Sequence, residues 1–257
     1  MQISLAGKVV LVAGGGGREG SIGQVMVETF AAAGARTAVL DLQDHGHSSV
    51  DLLIRADVTR EAEVSAAVTS VVATLGGIDV LVNNVGVNDG IGLEGELADF
   101  EASLRLNLVS YWLVTKYALP HLRARQGNVL NIGSKVGLTG QGNTSAYAAS
   151  KGGVLALTRE WAIDFLPDGM RCNAIVIAEC YTPAYEDWIS GLADGREKLD
   201  AINRKIPLGQ RMTTPQEVAN TALFLVSELS SHTTGQQVFV DGGYVHLDRA
   251  LLAQDES

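Results

Sequence analysis

Short β-branched runs alternate with longer stretches of helical periodicity along the whole chain, and nothing else constrains the fold as strongly. Residues 8–13, 36–41, 52–56, 78–83, 127–132, 171–177 and 237–240 read as buried strands. Between and after them, 22–33, 61–75, 100–125, 146–166 and 214–228 place apolar residues at helical spacing. The last of these opens on Thr214-Pro215 with Glu217 in its first turn, a helix-start signature. Strands separated by helices pair in parallel through crossovers. The expectation is therefore an α/β fold: a doubly wound, mostly parallel seven-stranded central sheet with helices on both faces. Ligands of such sheets lie beyond the carboxyl ends of the strands, so the loops there are the place to look for function. Residues 42–51 are too few for a full crossover helix; His45, Gly46 and His47 read as turn material, with room for one helical turn.

No repeat or Pro/Ser-rich linker divides the 257 residues, which reads as one domain over 1–257 with a substrate lid over 184–210. A hydrophobic content of 46% supports a sizeable core. The net charge of -10 argues against nucleic acid or an anionic membrane as partner, since either needs a basic face. Cys172 and Cys180 make no disulfide framework. Neither a signal segment nor a membrane-length apolar run is evident, so a cytoplasmic protein is expected. No residues suggest a metal site; His45 and His47 lack further ligands nearby.

Between the first strand and the first helix stands a glycine cluster, Gly14 to Gly17, followed by Arg18, Gly20, Ser21, Ile22 and Gly23. Glycines let the backbone approach a pyrophosphate, whose charge rests on the helix N-terminus. This position makes the fold Rossmann-type and the cofactor a dinucleotide. Asp41 ends the second strand, where a carboxylate accepts from ribose hydroxyls and repels a 2′-phosphate; NAD is favoured over NADP. Arg18 speaks for the phosphate, unless it is a solvated arginine paired with Glu19. Asp57 and Val58 follow the third strand, placed for the adenine, and Asn83 and Gly86 follow the fourth, placed for the cofactor's middle.

Tyr147 and Lys151 stand four apart on one helical face, and Ser134 lies just past the fifth strand. A phenol titrates near ~10, too high for a neutral-pH base. An ammonium at about 4 Å contributes roughly 4 kcal/mol at an effective dielectric of about 20, which brings the phenol toward neutrality. Ser134 then holds a substrate oxygen while Tyr147 takes its proton and a nicotinamide takes a hydride.

These residues resemble the short-chain dehydrogenase/reductase family over nearly the whole chain: the glycine loop, Asp57, Asn83 to Gly86, Asn107, Ser134, Tyr147, Lys151, Thr182-Pro183 and Asp241-Gly242-Gly243. The resemblance implies that Asn107 supports a water chain to the lysine, that Ile177 and Thr182 adjoin the cofactor, and that the protein is a homotetramer packed through the helices of Asn107 and Tyr147. Departures are a glycine loop about three residues longer, Ser21 in place of a glycine, Ala13 for threonine, Val85 for alanine, and Ile177-Ala178 for Pro-Gly. Strings such as 86–93, 139–145, 158–162, 178–183 and 240–251 further resemble the L-fucose dehydrogenase-like, aldose 1-dehydrogenase branch. That branch implies oxidation of a sugar's anomeric hydroxyl to a lactone.

The substrate-side loops are polar, with Asn88, Lys135, Gln141, Asn143 and Glu179, which suits a hydroxyl-rich ligand. Lys135 either orients an anionic sugar or faces water beside Ser134. Trp188 either stacks on a sugar face or packs the lid down. Cys180 reads as a small packed residue, not a nucleophile. Two rivals to the sugar dehydrogenase are a carbonyl reductase of non-sugar substrates such as 3-oxoacyl compounds, and a catalytically silent dinucleotide-binding regulator.

Overall fold

The computed structural model describes residues 3–46 and 48–247. Seven strands, β1 (Val9–Ala13), β2 (Arg36–Asp41), β3 (Leu52–Arg55), β4 (Val80–Asn83), β5 (Asn128–Ser134), β6 (Arg171–Ile177) and β7 (Gln237–Val240), form one sheet in the order β3-β2-β1-β4-β5-β6-β7. Every pairing is parallel. Helices α1 (Ile22–Ala32), α2 (Glu61–Leu75), α3 (Leu97–Leu104), α4 (Ser110–Ala124), α5 (Ser145–Asp164), α6 (Pro183–Ser190), α7 (Gly195–Asn203) and α8 (Pro215–Val226) connect the strands.

Strands covered on both faces read as unbroken apolar runs, and β1 shows why. Its Val9, Leu11 and Ala13 enter a core with α2, α4 and α5, while Val10 and Val12 enter a second core with α1 and α8. The chain runs outward from β1 to β3, then returns to pair β4 against the other edge of β1. Strand order reverses there, which opens a crevice at the carboxyl ends of β1 and β4. The start of α8 follows its sequence signature: Thr214 accepts from the Glu217 amide, and the Glu217 carboxylate accepts from the Thr214 amide in a capping box.

Two elements differ from the sequence expectation. Among the described residues, no helix lies between β2 and β3. That crossover is instead a loop tied to β2 by side chains, with the Thr37 amide donating to Asp51 at 2.7 Å and its hydroxyl to the Ser49 carbonyl at 2.8 Å. His47, and residues 248–251 of the tail resemblance, lie outside the described residues. The helix expected over 100–125 begins earlier, at Leu97, and is broken by a π-helical turn, Arg105–Val109. Such turns carry an extra residue and recur at functional sites. Here the turn carries the fully buried Asn107. The segment expected as a lid carries α6 and α7, the first capped by Thr182, whose hydroxyl accepts from the Tyr185 amide. No helix among the described residues is long and apolar enough to cross a membrane.

Candidate functional site

The glycine loop is shaped by close backbone approach. Gly14 sits at φ 90°, and a Cβ there would stand 2.7 Å from the Val85 amide nitrogen; one on Gly23 would stand 2.0 Å from the Gly14 carbonyl oxygen. Asn84 locks the same carbonyl, donating from Nδ2 at 2.6 Å. Ser21, where the family has glycine, caps α1 by accepting from the Gln24 amide, and Ile22 opens the helix. No acidic residue occupies the first turn of α1, so its positive end has no internal carboxylate. Asp41 closes the outer side, its Oδ2 accepting from the Gly16 amide at 2.9 Å and its Oδ1 from the Gln43 amide at 3.0 Å. A tight glycine turn, an uncompensated helix N-terminus and a carboxylate at the end of β2 together fit a dinucleotide.

The remaining cofactor candidates divide. Gly86 passes so close to Lys151 that a Cβ would lie 3.1 Å from its Nζ. Asp57 Oδ1 accepts from both the amide and the hydroxyl of Thr59, and the Val58 side chain belongs to the core. Ile177 is buried at the end of β6. Arg18 pairs with Asp187 and not with Glu19, because the lengthened loop reaches α6. Asn83 can meet the cofactor only through its backbone. Its side chain is buried on the α4–α5 face of the sheet, donating to Thr115 at 3.1 Å and to Asn131 at 2.9 Å, away from the crevice. Strand alternation explains this, since Leu81 enters the core of that same face.

At the carboxyl end of β5, the Ser134 hydroxyl lies close enough to the Tyr147 phenol to favour its ionised form. Ser134 also caps the following turn. Lys151, one turn further along α5, is buried with its Nζ 5.7 Å from the centre of the Tyr147 ring. It donates to the Tyr111 hydroxyl at 3.0 Å and to the Ile132 carbonyl at 2.9 Å, and Tyr111 itself donates to Ile132 at 3.0 Å. Burial among neutral partners pushes Lys151 down to about 7. The expected lowering of Tyr147 is not found. Burial pushes its phenol up to about 12, outweighing the Ser134 hydrogen bond, with Asp89 adding to the rise. Asn107 does not touch the lysine; Oδ1 accepts from the Val87 amide at 2.8 Å, and Nδ2 donates to the Val87 and Ser103 carbonyls.

On the substrate side, Lys135 is neither solvated nor free for an anion. It is buried, ion-paired with Glu179, and lies 4.1 Å from the centre of the Tyr244 ring. Tyr185 donates to Glu179 Oε2 at 3.3 Å. Asn88, Gln141 and Asn143 are exposed, Asn143 at φ 50°. Trp188 is 47% exposed and packs edge-on against Tyr185. Cys180 is buried and its thiol pushed up to about 12 by burial and by Glu217, as a packed residue should be.

The family described as Enoyl-(Acyl carrier protein) reductase matches residues 15–245. The L-fucose dehydrogenase of Bos taurus is 37% identical over 246 residues, covering 93% of this chain and 89% of that protein. The chain is a short-chain dehydrogenase/reductase. The crystal structure of Cj0485 dehydrogenase matches with a TM-score of 0.93 at 39% identity, covering 97% of this chain and 98% of that one. That of the Thermoplasma acidophilum aldohexose dehydrogenase matches with a TM-score of 0.88 at 31% identity, covering 96% and 97%. This short-chain dehydrogenase/reductase is an NAD(P)-dependent oxidoreductase acting on CH-OH groups, and it resembles the L-fucose dehydrogenase-like branch of the family.

Two features of this family member escaped the sequence reading. Tyr111 is the direct partner of Lys151, and its signal was available: it stands four residues after Asn107, as Lys151 stands four after Tyr147. Tyr185 and Tyr244, which flank the Lys135–Glu179 pair, come from chain segments too distant for spacing to reveal.

Proposed function

We propose that the protein is an NAD-dependent aldose 1-dehydrogenase with Tyr147 as general base. The observation that carries the chemistry is the Tyr147 phenol beside the Ser134 hydroxyl, with the buried Lys151 amine against its ring. Ser134 holds the anomeric oxygen, and Tyr147 takes the proton from that hydroxyl once the positive charge of a bound NAD+ offsets the burial that raises its phenol to about 12. As the C1–H bond breaks with its electron pair, the C1–O bond becomes the lactone carbonyl. A bound nicotinamide dinucleotide supplies the hydride acceptor. Lys151 keeps a mobile proton beside the phenol, held in place by Tyr111 and Ile132. Asn107 is a positioning residue that fixes the backbone around Val87, next to Gly86 and the lysine.

Gly14, Ser21, Ile22 and Gly23 would hold the pyrophosphate, Asp41 the adenosine ribose, and Asp57 and Val58 the adenine edge, with Gly86, Ile177 and Thr182 towards the nicotinamide. NAD is preferred because the Asp41 carboxylate stands at the ribose position, while Arg18 is engaged by Asp187. The sugar assignment draws on the aldose-oxidising relatives and on the polar cleft wall. Exposed apolar side chains on α4 and α5, Trp112 and Ile163, support assembly as a homotetramer. Two buried free thiols suit a cytoplasmic location.

The deciding experiment screens aldoses and polyols with NAD and NADP beside 3-oxoacyl thioesters and simple ketones. Oxidation of aldoses with NAD is expected; ketone reduction without any sugar turnover would replace this reading with the carbonyl reductase. In the same assay, Tyr147→Phe is expected to lower turnover by about 1000-fold while NAD still binds in a titration. Undiminished turnover in that variant would refute Tyr147 as the base.

A further inference from the structure

The Lys135–Glu179 pair is an expensive way to fill a cleft wall. Side-chain exposure is only 8% for Lys135 and 17% for Glu179. Withdrawing two such ions from water costs several kcal/mol each, and apolar residues of the same volume would often serve stability as well. The pair is also in a telling place. Lys135 directly follows Ser134, and Glu179 follows β6, whose register sets Ile177 against Ser134. Both charges therefore stand at the carboxyl ends of neighbouring strands, beside the hydroxyl that Tyr147 engages.

The chemistry of the four side chains is balanced. An ammonium carries three donors, and Glu179 occupies one of them, while the Tyr244 ring covers a second direction at 4.1 Å. The carboxylate offers two oxygens with several lone pairs, of which Tyr185 takes one at 3.3 Å. The remaining donors and acceptors thus stand side by side with no net charge between them. Asp89, close enough to act on Tyr147, adds a further negative charge. An anionic ligand would meet one already matched ammonium and two carboxylates. Adjacent neutral hydroxyls, each able to donate to a carboxylate and accept from an ammonium, complement the same surface.

We infer that Lys135 and Glu179, flanked by Tyr185 and Tyr244, form a charge-balanced subsite that grips two adjacent hydroxyls of a neutral sugar and turns away anionic sugars. The inference rests on the aldose dehydrogenase reading above. The test measures kcat/KM of the whole enzyme for neutral aldoses, for deoxy analogues lacking one hydroxyl away from C1, and for uronic acids. The variants are Glu179→Gln and the charge-free double variant Lys135→Leu/Glu179→Leu, with thermal unfolding and NAD titration as controls of folding.

The wild-type enzyme is expected to favour neutral aldoses over uronic acids by about 100-fold or more. Glu179→Gln, which leaves the ammonium unmatched, narrows that preference by about 10-fold. The double variant folds, binds NAD, and loses about 100-fold on the full aldose but less than about 3-fold on at least one deoxy analogue. Equal losses on aldose and every deoxy analogue, or an unchanged preference in Glu179→Gln, overturn the subsite and leave the dehydrogenase standing. If Glu179→Gln does not fold, the double variant decides alone. A wild-type enzyme that oxidises no aldose overturns the dehydrogenase reading and the subsite together.

Discussion

Lys135 and Lys151 are both buried at the carboxyl end of the sheet, yet their surroundings solve the burial in opposite ways. Around Lys135 the protein supplies a carboxylate and an aromatic face. Around Lys151 it supplies aromatic rings, a phenol hydroxyl and a backbone carbonyl but, among the described residues, no carboxylate partner, and the amine falls to about 7. A matched charge is held in place and recognises; an unmatched one gives up its proton easily, which is what a relay beside a general base needs. Burial alone does not set a lysine's role. The partner does.

The contrast breaks most visibly when Lys151 is replaced. Lys151→Met is expected to lower turnover by about 100-fold or more, yet to raise the melting temperature at pH 7 by about 4–8 °C, a gain of about 2 kcal/mol. The sign follows from linkage. Lys151 titrates at about 7 in the folded protein against 10.5 as its ordinary value. The unfolded chain therefore binds more protons between those values, so the stability of the cofactor-free wild type should climb as pH rises from about 7 to about 10.5. Calorimetry across that window checks both statements; a flat profile, or a Met variant less stable than wild type, would show that Lys151 is not strained.

Tyr111→Phe sharpens the comparison by removing one of the two acceptors of Lys151. The charged amine loses support, so its titration moves further down, and turnover should fall by about 10-fold with a shifted pH profile. A fall in turnover with no change in the profile would mean Tyr111 merely packs. The smallest effect is expected from Asp187→Asn, which frees Arg18. Both side chains are well exposed, at 49% and 63%, so the pair is worth under about 1 kcal/mol. The Michaelis constant for NAD should change by less than about 3-fold, and the difference should vanish in high salt.

Much of this was legible in the sequence because buried parallel strands advertise themselves as apolar runs; β1, Val9–Ala13, is buried at every position. The meeting of Tyr147, Lys151 and Ser134 was legible because the first two share a helical turn and Ser134 ends a strand. The inward side chain of Asn83 was legible too, since it shares parity with the core residue Leu81. The fate of Lys135 was not legible, since its partner stands 44 residues away on the next strand's loop. Nor was the height of the Tyr147 pKa, because desolvation depends on how tightly a cleft closes and not on which residues are spaced along a helix.

The π-helical turn has one more consequence. A residue added to a regular helix slips the phase of everything after it, so α3 and α4 need not aim the same stripe at the same neighbour. The first half can follow the loop after β4, and the second can point Tyr111 at the sheet and Lys151. One uninterrupted α-helix would have had to choose between the two alignments.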